Sequence, residues 1–246
     1  MFDFSAFFAQ YGNLFLQGTV DTLIMTCVAT ILAYVIGIPL GILLVVTSPN
    51  GLRPNRIVST IVGWIVNIGR SVPFIILMVA IMPFTKLVAG TKIGVKGAIV
   101  PLVVSAAPFI ARMVETSLAE VDAGVVEAAQ AMGASPLQIV RKVYLPESMP
   151  SLVLGGAISV VTILAYTAIA GMVGAGGLGD IAIQYGPNRG VTSLMWVTVL
   201  FLIIFVQIIQ WVFNWWSKHI DKRLDHSSDT KKFAPLEMLA HFVHTK

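Results

Sequence analysis

The chain has 246 residues, 57% of them hydrophobic and 11% charged, with a formal net charge of +4. Soluble domains carry about a quarter charged residues, so this composition excludes an ordinary water-soluble enzyme and indicates an all-α, polytopic membrane protein. Cys27 is the only cysteine, which excludes an internal disulfide. His219, His226, His241 and His244 all lie near the C-terminal end, leaving no imidazole for a metal site or proton relay in the apolar body.

Residues 1–18 lack a basic stretch, carry Asp3 and lead into an apolar run too long for a signal peptide. They are expected to form a short interfacial segment rather than a removable leader. Apolar runs of the length a bilayer requires then predict five spans, near residues 19–47, 57–83, 95–116, 152–174 and 193–217. Pro39, Pro73, Pro101 and Pro108 fall inside these runs, where neighbouring helices can satisfy the backbone groups a kink frees. The expected organisation is a transmembrane domain over 19–217, interrupted by a long polar loop at 117–151 and followed by a tail at 218–246.

Two spans carry polar residues with helical spacing. In the second, Asn67, Arg70 and Ser71 share one face, and an arginine inside a membrane costs several kcal/mol unless paired, hydrated or snorkelling. Arg70 is therefore a candidate for a translocation pathway, the alternative being a packing role in which it bonds carbonyls of a neighbouring helix or caps a helix broken before Pro73. In the fourth span Ser159, Thr162 and Tyr166 form a mild polar stripe that suits a pathway for a small zwitterion. Membrane hydroxyls also commonly bond their own backbone. The glycines at 174, 176, 177 and 179 lack the Lys-Ser/Thr of a nucleotide-binding loop, so the chain itself is not expected to hydrolyse ATP. Asp21 and Glu115 sit near span ends, which argues against proton coupling without excluding sodium.

The 117–151 loop is the most specific feature. Val125, Val126, Ala129 and Met132 recur on one side of a short predicted helix, Gly133 permits a sharp turn, and Ser135-Pro136 reads as the cap and first residue of a second helix ended by Leu145-Pro146. The series Glu127, Ala128, Ala129, Gly133, Val143, Leu145 and Pro146 resembles the coupling loop of ATP-binding-cassette (ABC) importer permeases, with Val143 where that family usually has isoleucine. The resemblance implies a cytoplasmic helical hairpin that seats on an ATPase through Glu127, Ala128, Ala129, Gly133, Leu145 and Pro146.

Segments 70–76, 99–102, 106–115, 173–179 and 184–186 extend the likeness, and from about residue 18 to 218 the chain resembles the permeases of methionine ABC importers. That resemblance implies a type I importer fold, a homodimer around a central pathway and no cofactor in this chain. It further implies two cytoplasmic ABC ATPase subunits, which bind ATP and magnesium, and an external solute-binding protein. With five spans in the inner membrane it also implies an N-terminus outside and a C-terminus in the cytoplasm. That orientation collects Arg53, Arg56, Arg112, Arg141, Lys142, Lys218, Lys222 and Arg223 inside, against Lys86, Lys92, Lys96 and Arg189 outside. Besides membrane lipid no further partner class is expected, nucleic acid included. Competing readings are a permease for another amino acid or small solute, and an ATPase-independent channel or secondary transporter.

Overall fold

The computed structural model describes residues 4–220, and their regular structure is entirely helical. Helix α1 (Phe4–Thr47) is unbroken, so residues 4–18 form the first turns of the same rod as the first span rather than a separate element. After a turn at 48–55, α2 (Arg56–Ser71) starts on Asn55, whose Oδ1 accepts hydrogen bonds from the amides of Ile57 and Val58, each at 3.1 Å. Next come α3 (Phe74–Ala80), α4 (Met82–Ala89), the central α5 (Gly94–Ala119) and the short α6 (Ala123–Ala131). The described residues continue through α7 (Pro136–Ile139), a π-helical turn (Val140–Tyr144), α8 (Leu145–Gly171), α9 (Gly177–Tyr185) and α10 (Thr192–Ile220).

Among the described residues four stretches are long and apolar enough to cross a membrane: Ala9–Thr47, Gly94–Ala119, Pro136–Gly171 and Thr192–Ile220. The expected second span is not one straight helix. Val72, preceding a proline, takes an extended conformation (φ −89°, ψ 123°), and α2 and α3 meet at 103° across the break. Counted as one span, that bent pair brings the number to five.

The core is built on α5, which α1 crosses closely. A Cβ at Gly37 would lie 2.7 Å from Ile110 Cγ2, and one at Gly41 would lie 2.6 Å from the Ala111 carbonyl oxygen. Gly37 and Gly41 are thus a small-residue pair at four-residue spacing that brings two backbones together, the characteristic way membrane helices gain packing energy without a hydrophobic drive. Met25, Ala29 and Ala33 of α1 pack with Leu102, Ile110 and Val114 of α5. Outside this core the surface is inverted relative to a soluble protein: Trp64, Trp196, Trp211, Trp215 and Trp216 are all exposed, as are Ile31, Val35 and Ile203.

Gly176 and Gly177 have φ of +80° and +83° and turn the chain from α8 into α9. The hydroxyl of buried Thr22 on α1 accepts the Leu178 amide at 2.8 Å, filling one of the amide vacancies that open a helix. The glycine-rich segment thus turns the chain into a short helix that Thr22 anchors.

Candidate functional site

The hairpin at 123–145 is closed by local chemistry. Asp122 caps α6 by accepting the Gly124 amide at 2.7 Å. At the other end Gly133 adopts φ +80°, while the Ala134 amide bonds the Ala129 carbonyl at 3.1 Å and the Gly133 amide bonds the Gln130 carbonyl at 2.9 Å. These paired bonds across a left-handed glycine are a Schellman motif, so Gly133 is required by backbone conformation rather than by crowding. Ser135 then opens α7 with a reciprocal capping box: its Oγ accepts the Gln138 amide at 3.4 Å, and Gln138 Oε1 accepts the Ser135 amide at 2.7 Å.

The second arm does not end at Leu145-Pro146. The Leu145 amide bonds the Val140 carbonyl five residues back, and this widened π turn carries the helix past Pro146 into α8. The coupling hairpin is therefore continuous with a membrane span.

The predicted stripe on α6 splits in two. Val126 and Ala129 are buried against Ile139 and Val140 and belong to the same apolar cluster as the α5 core. Val125, Ala128 and Met132 face outward, together with Glu127 and, on α7, Leu137. Of the residues expected to contact an ATPase, Glu127, Ala128, Gly133 and Pro146 are exposed and Leu145 is half-buried, whereas Ala129 holds the hairpin together from inside.

A cavity of about 440 Å³ opens among α2, α5 and α8, lined by Arg70, Arg112, Met113, Ser151, Leu154 and Ile158. Arg112 is committed to Glu115, Nη1 to Oε2 at 2.7 Å. Among the described residues the side chains of Arg70 and Asn67 make no hydrogen bond, although both are exposed on α2, and Ser71 donates to the Asn67 carbonyl at 2.7 Å. Among the described residues Arg70 bonds no carbonyl of a neighbouring helix. Its guanidinium lines the groove with its donors uncommitted, available to a carboxylate or carbonyl oxygen.

The fourth-span stripe is also divided. Ser159 is fully buried, donating to the Gly155 carbonyl at 2.9 Å with Met113 Sδ at 3.4 Å, so it belongs to the α5–α8 contact rather than to the groove. Thr162 donates to the Ile158 carbonyl at 2.7 Å. Tyr166 stacks on Phe74 with ring centroids 4.5 Å apart and planes 3° from parallel. Phe74 opens α3, so this stack ties the broken second span to α8. Sequence reasoning missed Phe74, Thr22 and the Arg112–Glu115 pair. Only the last carries a local signal, opposite charges three residues apart.

Residues 37–226 match the family described as binding-protein-dependent transport system inner membrane component. The chain belongs to this family. Among its curated relatives is the probable D-methionine transport system permease protein MetI of Vibrio cholerae, 50% identical over 216 residues, covering 88% of this chain and 96% of that protein. The D-methionine transport system permease protein MetI of Escherichia coli K12 is 51% identical over 158 residues, or 64% of this chain and 73% of that protein. In three dimensions this family member superimposes on a chain from inward-facing conformations of the MetNI methionine ABC transporter with a TM-score of 0.85 and 46% identity, covering 87% of this chain and 99% of that one. An amino acid ABC transporter at 16% identity and a TM-score of 0.72 shares the fold. The fold is that of an ABC importer permease, and the chain is a multi-pass inner-membrane permease subunit.

Proposed function

We propose that this permease is the membrane-spanning subunit of an ATP-driven methionine importer and that two copies form the translocation pathway. The observation that carries the reading is the near-complete match, at 46% identity, to a chain of a methionine ABC transporter. Two cytoplasmic ATPase subunits, which hold ATP and magnesium, dock on the outward face of the hairpin at Glu127, Ala128, Gly133 and Met132. An external solute-binding protein delivers methionine, including the D isomer named for the relatives. The N-terminus lies outside and the C-terminus in the cytoplasm, with membrane lipid covering the exposed apolar helices. Arg70 and Asn67 offer weak polar contacts to the passing zwitterion, and Tyr166 shapes the wall beside them.

The test is reconstitution with the cognate ATPase and solute-binding protein. Methionine-dependent stimulation of ATP hydrolysis with accumulation inside vesicles is expected; stimulation only by a different solute overturns the methionine assignment. Orientation is read separately, in a Cys27→Ala background, by an impermeant thiol reagent. Val88→Cys is labelled from outside and Gln130→Cys only after the cytoplasmic face is opened, and the reverse pattern removes the hairpin from any cytoplasmic ATPase.

A further inference from the structure

A second cavity, of about 600 Å³, lies away from the groove, between the end of α1, the 48–55 turn and the start of the α7–α8 rod. Its size falls among small-ligand sites, about 300–1,000 Å³. Its floor is apolar, formed by Ile42, Leu43 and Val46 from the last turns of α1 and by Leu145, while Arg53 and Arg141 also line it. No carboxylate is among its lining residues, and among the described residues neither Arg53 nor Arg141 is ion-paired, so both guanidiniums are uncompensated. The Arg53 backbone is fixed, because its amide bonds the Val46 carbonyl at 2.9 Å and the Asn55 amide bonds the Thr47 carbonyl at 3.0 Å. Arg141 sits in the π turn that joins the hairpin to its span. The cavity therefore runs from apolar to cationic over the last turns of a membrane helix, the profile of the boundary between acyl chains and headgroups.

We propose that this cavity binds one anionic glycerophospholipid, its phosphate between Arg53 and Arg141 and an acyl chain along Ile42, Leu43 and Val46. Bound there, the lipid ties the α1–α2 turn to the arm of the coupling hairpin that continues into α8. This rests on the orientation proposed above, which places the cavity in the inner leaflet, and its occupant is distinguished from an acidic protein partner by the acyl-sized apolar floor below the cations.

The experiment uses the permease assembled with its ATPase, in bilayers of phosphatidylcholine alone or of equal parts phosphatidylcholine and phosphatidylglycerol. Retained phosphatidylglycerol is counted by native mass spectrometry. Each arginine replaced by glutamine is expected to lower its occupancy about fivefold, and Arg53→Gln with Arg141→Gln about 25-fold, while Arg53→Lys with Arg141→Lys keeps most of it. An unchanged thermal midpoint of the double variant shows that the loss is not unfolding. Equal lipid retention by wild type and the glutamine double variant overturns the proposal. So does displacement of phosphatidylglycerol by millimolar inorganic phosphate, which would mean a free-anion site. A third contrary result is loss of ATPase assembly by the double variant in lipid-free detergent, which would make the arginines protein contacts. None of these readouts uses methionine or the thiol labels, so failure of the transport or orientation reading is seen separately.

Discussion

Leucine placed at two adjacent alanines of the hairpin separates docking from folding. Ala129 is 6% exposed and packs in the cluster containing Ile139 and Val140, whereas Ala128 faces out. Ala129→Leu forces three extra carbons into a filled interior, which costs about 1–3 kcal/mol and raises hairpin opening roughly 5- to 150-fold. The same side chain at position 128 meets solvent in the isolated permease and shifts opening by about twofold or less. If the outward face seats on an ATPase, however, Ala128→Leu occupies space the partner needs. Hydrogen exchange of residues 123–145 measures the first effect; co-purification of the ATPase and ATP-driven uptake measure the second. Ala129→Leu is expected to lose exchange protection, and Ala128→Leu to keep protection and lose partner binding and uptake. Native partner binding and uptake by Ala128→Leu would refute the docking face, and native exchange by Ala129→Leu would refute its internal role.

Thr22→Val keeps the shape of a side chain 1% exposed but leaves the Leu178 amide without its acceptor, at a cost of about 1–3 kcal/mol. The thermal midpoint is expected to fall, and a cysteine substituted for buried Ile181, with Cys27 replaced, to become thiol-reactive as α9 loosens. At the Phe74 stack, Tyr166→Phe keeps the ring and is expected to transport normally, whereas Tyr166→Ala gives up a pair worth about 0.5–1.5 kcal/mol beyond its area and is expected to lower uptake. Equal loss in both variants would assign the role to the hydroxyl instead.

Hydropathy made the spans legible because lipid permits a nearly continuous apolar surface, and the hairpin was legible because its turn and cap use local chemistry: Gly133, Ser135 and Gln138 act within a few residues of one another. The failures share a different cause. Proline occurs inside several apolar runs, yet the chain breaks sharply at Pro73 and passes through Pro39, Pro101 and Pro108 within helices. Which outcome occurs depends on what neighbouring helices offer the freed carbonyls, a tertiary property. Likewise Val125 and Val126 are equally apolar, and only the position of the α7 arm decides which turns inward. The π turn at Val140–Tyr144 solves the register problem of continuing past Pro146, and no single residue announces it.

The same reasoning changes what a polar residue in these spans signifies. In a medium without water many of these hydroxyls bond the carbonyl one turn back: Thr26 bonds Thr22, Thr167 bonds Leu164, Thr198 bonds Leu194, and Ser159 and Thr162 do likewise. Such side chains are already satisfied, so a stripe of them marks backbone accommodation as readily as a path. Asn67 and Arg70 differ because they carry several donors and, among the described residues, spend none of them. The groove that Arg70 lines is walled by Met113 on α5, and α5 shares its buried cluster with Val126, Ala129, Ile139 and Val140 of the hairpin. A displacement of the hairpin by an attached ATPase therefore meets close-packed side chains all the way to the groove wall, with no loose linker to absorb it. Importer function requires that mechanical property, and it arises here because the second hairpin arm runs into α8 instead of stopping at Leu145-Pro146.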